Sequence, residues 1–503
     1  MRRLLLLLAP IWLLFGAGPA AADDIGATAR GVVRVVTIAV VDGQVVGFGH
    51  GSGVAIAPNR IVTNAHVMEL AERYPDNVVI GVVPSEGDKS YQGRVVAYDA
   101  KRDLALIEFA GARLPPAALY TGPVGEGDAV IALGYPGNVD LATAQSAADY
   151  IRPTSPVRSE GVFSGRRSLT GTEVLLHTAN IARGNSGGPL LDRCGRVIGI
   201  NSAITRGEEG DGSFGFAIAD TELAAFLREA KQPYVAVGTP CTSIEERLRD
   251  DSEADVRART DALTRQRDAA THAEIDREEA LARARQAAQT RRENVMGVAG
   301  LLLVLGAMGV GAAALCAIQR RRRAALWAGG IGGLTMIVAI VVFVLRPAAE
   351  PTHPPVSVVV SQSVPNAPLG KLVCTFQPDR SRVTVSPTSD VALRWGRSGC
   401  AGGVQYLPTA DRWERVVVPD QEQTVSVVTF DPVTRRYTDT RYMLGAQAMA
   451  QVRKQQAQAD QGKASQCTVD PAAIERIAQQ QAAIRALLPP LPNEKLVYNC
   501  HAG

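Results

Sequence analysis

The chain has 503 residues, too many for one compact core, so two or three folded units are expected. Its formal net charge is only +3, which gives no sign of a nucleic-acid partner. The distribution of charge says more: residues 245–293 are dense in Arg, Asp and Glu, whereas 295–345 carry almost none outside one arginine cluster.

Met1-Arg2-Arg3, an apolar run from Leu4 to Phe15 and small residues ending at Ala20-Ala21-Ala22 have the form of a secretory leader over 1–22, cut before Asp23. An uncleaved anchor is the alternative, and either one carries the following residues out of the cytoplasm. From about residue 29 the chain reads as short strands separated by Gly, Pro, Asp and Asn clusters, which suggests an all-β barrel or sandwich. Val32–Ile38, Gly51–Ile56, Val78–Val83, Leu104–Phe109, Ala129–Leu133, Val174–Thr178, Val197–Asn201 and Gly215–Ile218 are among them. A helix expected at Thr221–Lys231 and stopped by Gln232-Pro233 closes this first domain, residues 29–232.

Residues 243–293 are rich in Ala and Arg, lack Gly and Pro, and open with Ser243 and Glu246 at capping-box spacing. Their apolar positions sustain no heptad seam, so a solvated helical stalk is favoured over a coiled coil. Two apolar runs follow, 295–318 and 324–345, each as long as a transmembrane helix needs. Arg320–Arg323 lie between them, and four arginines in so short a loop belong on the cytoplasmic side. A Pro-rich linker, 347–368, leads to a last region, 370–503, read as a small α+β domain. Strand-like alternation at Lys371–Trp395 and Trp413–Tyr442 precedes two polar helices, Gly445–Gln461 and Pro471–Leu487. No constellation of chemical groups is visible there.

Cys316 sits in an apolar run. The other six cysteines, Cys194, Cys241, Cys374, Cys400, Cys467 and Cys500, fall in exported segments, where cysteines tend to pair. Six cysteines allow fifteen connectivities. Proximity in sequence favours Cys194–Cys241, Cys374–Cys400 and Cys467–Cys500.

Three local patterns carry chemistry, in this order: Thr63-Asn64-Ala65-His66-Val67, Arg102-Asp103-Leu104-Ala105-Leu106-Ile107, and Gly184-Asn185-Ser186-Gly187-Gly188-Pro189-Leu190. A serine hydroxyl is a poor nucleophile until a base takes its proton, and neutral imidazole suits that task near pH 7. An acid behind the histidine fixes its tautomer and stabilises the imidazolium that forms. Glycines beside the serine free backbone N–H groups to face a substrate carbonyl, and Gly184 and Ser186 supply the natural pair of amides. Each piece alone has a structural explanation; together they point to a catalytic set of His66, Asp103 and Ser186. Asp99, four residues upstream, is the rival acid. His50 and His177 are expected to be structural. No cluster has metal-ligand spacing, so neither a metal nor a cofactor is expected.

In these contexts, and in GSGVAI at 51–56, GDAVIALGYPG at 127–137, GRVIGINSAI at 195–204 and GFAIA at 215–219, the chain resembles the trypsin-like proteases of the chymotrypsin fold, especially the bacterial HtrA (Deg) branch. The resemblance covers about residues 29–228. It implies two six-stranded β-barrels, with His66 and Asp103 from the first and Ser186 from the second. It selects Asp103, directly before Leu-Ala, over Asp99. It also implies that Asn180 floors the specificity pocket, with Ile200, Asn201, Ser202 and Ala203 and Gly215, Phe216 and Ala217 as its walls. With no Asp at its base, that pocket disfavours Lys and Arg and suits small or medium apolar side chains.

The departure from the family is the lack of PDZ domains, whose place is taken by the stalk and spans. The expected molecule is a serine endopeptidase held in a bacterial inner membrane, with its flanking domains on the exported side and proteins or peptides as substrates. A sensor or scaffold that binds peptides with little cleavage is the alternative. The C-terminal region could serve either as a recognition module. Self-association through the stalk or the first domain is left open.

Overall fold

The computed structural model describes residues 23–205, 213–318, 320–345, 368–459 and 466–503. The leader expected at 1–22 and, but for its last residue, the linker at 347–368 lie outside them. The chain divides into two compact units, residues 1–257 with 363–503, and residues 258–362.

A short helix α1 (Asp24–Ala29), capped by Asp23, leads into β1 (Val32–Val41). This strand pairs with β2 (Gln44–Ala57), and β3 (Arg60–Thr63), β4 (Val78–Val83), β5 (Tyr91–Asp99) and β6 (Leu104–Phe109) complete a closed barrel in the order β1-β2-β3-β6-β5-β4. Helix α2 (Ala65–Arg73) follows β3 directly. Several strands are buried on both faces, which is why their sequences run apolar rather than alternate. Val33, Val35, Ile61, Ile80, Val82 and Ile107 fill the barrel, while Val32, Val54, Ile56, Val62, Leu104 and Leu106 face outward into a second core.

That second core is shared with another barrel. Its strands are β7 (Leu119–Tyr120), β8 (Ala129–Gly134), β9 (Val157–Leu169), β10 (Thr172–His177), β11 (Pro189–Leu191), β12 (Val197–Ile204), β13 (Gly215–Ala219) and β14 (Ala236–Val237). The order β11-β8-β9-β10-β13-β12 closes on itself through the β11–β12 pairing, and β7 and β14 extend it in parallel beyond β12. Leu119, Ile131, Leu133, Val197 and Ile200 meet the outward residues of the first barrel. The two six-stranded barrels thus clamp one apolar layer between them, and the rims of that layer carry the loops described below. Helix α3 (Gly137–Thr143) follows β8, and α4 (Asp220–Glu229) follows β13, one residue ahead of the Thr221 start expected from sequence.

The stalk is helical, as expected. Helix α5 (Ile244–Ile318) runs from the stalk through the first apolar segment without a break. Ser243 Oγ accepts the Glu246 N–H at 3.1 Å, half of the expected capping box. Two residues of its first turns, Ile244 and Asp251, are buried, and Asp251 pairs with Arg380 and Lys495 of the C-terminal region. Asp255 likewise pairs with Arg380 and Arg436. In the second unit α5 and α6 (Arg322–Val344) are both long and apolar enough to cross a membrane. Their backbones approach at Gly309 and Gly332, where a Cβ on Gly309 would stand 3.0 Å from Gly332 Cα.

The C-terminal region is a nine-stranded sheet of β15 (Gly370–Phe376), β16 (Val391–Trp395), β17 (Cys400–Ala401), β18 (Val404–Gln405), β19 (Leu407–Thr409), β20 (Arg412–Val417), β21 (Thr424–Asp431), β22 (Arg436–Met443) and β23 (Glu494–Ala502). Helices α7 (Ala446–Ala459) and α8 (Pro471–Arg485) pack on it through Met449, Val452 and Ile484. Its aromatic core of Trp395, Tyr406, Trp413 and Phe430 extends to Ala118, Val235 and Val237 of the first domain. The two regions share one apolar cluster.

Two of the three expected disulfides are corrected. Cys194–Cys241 forms as expected, but Cys374 bonds Cys500 and Cys400 bonds Cys467. The reason lies in the sheet: β15 and β23 are antiparallel neighbours whose register sets Cys374 directly opposite Cys500. Sequence proximity carries no information about that long-range pairing.

Candidate active site

His66 is the second residue of α2, placed by the turn that ends β3. Asp103 sits immediately before β6 with φ of +55°, a left-handed conformation that Asp tolerates better than most residues. Its carbonyl accepts the Asn64 Nδ2–H at 2.8 Å, which holds the tight turn. The Asp103 carboxylate receives the His66 backbone N–H at 3.0 Å and stands 3.0 Å from His66 Nδ1 through both oxygens. With that acceptor at Nδ1, the proton belongs there, and Nε2 is left with its lone pair toward the cleft.

Asp99 is elsewhere engaged. Its carboxylate accepts from the Lys101 and Arg102 backbone amides and from Arg102 Nη1, which hold it below the usual carboxylate range. Arg102 in turn reaches Glu222 and Glu229 of α4, so Asp99 belongs to a cluster that ties the barrels together.

Ser186 lies on the turn 184–188 that leads into β11, and its loop is fixed from the first barrel. The Ser52 N–H donates to Ser186 O at 2.8 Å, and Ser52 Oγ donates to Gly184 O at 2.6 Å. Gly187, at φ +88°, admits no side chain: a Cβ there would lie 2.1 Å from Ser52 O and 2.2 Å from Thr63 Oγ1. The glycine thus lets the second barrel's loop press onto β2 and onto the end of β3, which leads to His66. The Ser186 hydroxyl donates to Ser202 O at 3.0 Å. Among the described residues no hydrogen bond joins it to His66, and a change of χ1 well is what would redirect it.

His66, Ser186 and Gly184 line one open cleft of about 1030 Å³ together with His50, Val67, Ile181, Ala182, Ser202, Ala203 and Ile204. Of the wall residues expected from resemblance, Ser202 and Ala203 face this cleft. Ile200, Asn201, Gly215 and Ala217 are buried within the barrel, Phe216 is half-buried, and Asn180 is exposed. Ile181, Ala182 and Ile204 are apolar lining that the sequence reading missed.

Three other groups make contacts that the sequence does not reveal. Ser202 Oγ donates to Asp103 Oδ2 at 2.6 Å, so a residue taken as a pocket wall also buttresses the acid. Ser52, fully buried, is the tether just described. His50 Nε2 stands 3.3 Å from both Tyr135 O and Asp140 Oδ2. Burial holds His50 below its ordinary pKa despite the pull of Asp140. His177 is buried and pushed down to about 4 by desolvation. Among the described residues no group of His, Cys, Asp and Glu could hold a metal ion.

The family model for the trypsin-like peptidase domain matches residues 51–200. Serine protease Rv3671c of Mycobacterium tuberculosis is 31% identical over 220 residues, which is 43% of this chain and 49% of that protein. Magnetosome formation protease MamE of Magnetospirillum gryphiswaldense is 32% identical over 183 residues, 35% of this chain and 22% of that protein. The chain therefore spans about half the length, or less, of these curated relatives. A crystal structure of the active form of the Rv3671c protease aligns at a TM-score of 0.33 and 24% identity, covering 46% of this chain and 97% of that one. Residues 51–200 are a trypsin-like peptidase domain, similar in sequence to serine proteases that include the HtrA type.

Proposed function

We propose that the chain is a membrane-anchored serine endopeptidase with His66, Asp103 and Ser186 as its catalytic triad. The observation that carries this reading is the paired contact of Asp103 with His66 Nδ1 and the His66 amide, on a cleft that Ser186 also lines. His66 Nε2 takes the Ser186 proton as Oγ attacks the scissile carbonyl, then returns it to the leaving amine; water repeats the cycle on the acyl-enzyme. The amides of Gly184 and Ser186 receive the developing oxyanion. The Arg183 carbonyl accepts the Gly137 N–H at 2.7 Å, and a trans peptide keeps C=O and N–H antiparallel, so the Gly184 N–H points away from α3. The apolar lining by Ile181, Ala182 and Ile204 favours small or medium apolar residues before the cleaved bond.

The test is labelling of the full-length chain in detergent with a fluorescent fluorophosphonate, beside Ser186→Ala and His66→Ala. Strong labelling of the wild type alone is expected, together with casein hydrolysis. Equal labelling of wild type and Ser186→Ala would remove Ser186 as nucleophile. An unlabelled wild type, with the Ser186 hydroxyl still turned to Ser202 O, would favour a peptide-binding scaffold.

The peptidase and C-terminal regions are proposed to lie on the exported side. They flank both apolar helices in sequence yet share one compact unit and one apolar cluster, so an even number of crossings must separate them. Three disulfides fit an oxidising compartment. The Arg320–Arg323 loop then faces the cytoplasm. A cysteine introduced there should resist an impermeant thiol reagent in intact cells; labelling from outside would reverse the topology.

A further inference from the structure

The oxyanion loop rests on two side chains of β2 that no catalytic scheme above uses. His50 and Ser52 are two residues apart on a strand and so project from the same face. Both meet Gly184. Ser52 Oγ, fully buried, donates to Gly184 O at 2.6 Å and accepts the Tyr135 N–H at 2.9 Å, so its one hydroxyl joins the end of β8 to the loop. The His50 ring closes the other side: a Cβ on Gly184 would stand 2.8 Å from His50 Nε2 and 2.3 Å from Tyr135 O. Gly184 itself holds φ of +97°, the region open to glycine.

His50 is in turn oriented. The Tyr135 carbonyl, 3.3 Å from Nε2, is its hydrogen-bond acceptor, so the proton sits on Nε2, and the Asp140 carboxylate stands 3.3 Å from the same nitrogen. Asp140 is locked by Arg34 Nη2 at 2.7 Å, and Arg34 is buried beneath it and donates to the Asp149 and Tyr150 carbonyls. On the preceding peptide, which carries the Gly184 amide, Gly137 N–H holds Arg183 O. The carbonyls on both sides of the Gly184 amide are therefore fixed by donors, one from the first barrel and one from α3. Little freedom is left for the 183–184 peptide to turn over.

Resting on the serine-protease reading, we infer that Ser52 and His50 are positioning residues: together they clamp Gly184 so that its N–H is presented to the oxyanion. Their contribution appears as charge develops on the substrate oxygen, and substrate binding in the ground state is unaffected.

The discriminating measurement is the rate of phosphonylation of the full-length chain by the fluorophosphonate, resolved into kinact and KI. The phosphoryl oxygen must enter the same two-amide site as Ser186 Oγ displaces fluoride and His66 takes the proton. Ser52→Ala and His50→Gln should each lower kinact about tenfold to a hundredfold, below the loss from deleting an oxyanion donor outright, with KI within about threefold of wild type. The double variant should lose less than the product of the two, because both act on one peptide. Thermal midpoints are recorded in parallel; should Ser52→Ala melt below the assay temperature, His50→Gln supplies the same ratio. Unchanged kinact in a folded variant, or equal changes in kinact and KI, overturns the clamp and leaves the protease reading intact. A wild type inert to the reagent overturns both.

Discussion

Ser202 Oγ lies 2.6 Å from Asp103 Oδ2, close enough for a charge-assisted bond that steadies the carboxylate against His66. Ser202→Ala is expected to lower kcat about tenfold with KM unchanged, since the acid loses a donor and the cleft loses only a hydroxyl. Steady-state kinetics on a peptide anilide would check this; a rise in KM alone would make Ser202 a pocket wall and nothing more. At this scale the sequence was informative where chemistry is contiguous. His66, Asp103 and Ser186 each sit in a short run whose residue types already suit the task. Ser52 and Ser202 act through partners 132 and 99 residues away, and a serine in a strand carries no mark of such a partner. Asp99 and Asp103 could not be separated by residue chemistry alone, and the resemblance was needed. The structure adds the reason each is occupied as it is: one carboxylate faces an imidazole, the other a guanidinium.

Strands buried on both faces explain both what could be read of the barrels and what could not. Runs such as Leu104–Phe109 announce a core strand, but the second apolar face says only that something covers it. His177 belongs to such a strand. It is fully buried on β10 against Gly215 of β13, where a Cβ would lie 2.3 Å from its ring. Burial lowers its pKa to about 4, while the unfolded chain titrates near the ordinary 6.5. The unfolded state therefore binds the proton more tightly between these values. Stability from this residue is complete above pH 6.5 and is lost as pH falls through 4, by up to about 3 kcal/mol. His177→Gln keeps the shape and removes the titration. Its melting midpoint should fall less than that of the wild type between pH 7 and 4.5; equal slopes would show that other groups govern acid sensitivity there.

In chain order the peptidase and C-terminal regions stand apart, with a stalk and two long apolar helices between them. Folding reverses that separation. Ala118, Val235 and Val237 enter the C-terminal core, and a buried polar knot also joins the two regions. Arg382, 6% exposed, pairs with Asp24 of α1, donates to the Asn493 and Thr242 carbonyls, and stands 3.4 Å from Cys194 Sγ. Asn493 Nδ2 adds a bond to the other Asp24 oxygen at 3.0 Å. Nothing in the sequence could join residues 24 and 382. Burial raises the Asp24 pKa against the pull of Arg382 and of the Asn493 amide, and Arg382 is the cation paired with its carboxylate. Arg382→Met strands it, and breaking a buried pair in this way costs about 3–5 kcal/mol. Asp24→Asn together with Arg382→Met should recover part of the loss, since no buried charge is then left unpaired. If the shared core makes the two regions one cooperative body, hydrogen exchange at Leu119–Tyr120 and at Leu372–Phe376 should quicken together in Arg382→Met. Faster exchange in the C-terminal strand alone, with β7 still protected, would mean that the peptidase domain stands without its partner and that the joint is a contact between independent folds.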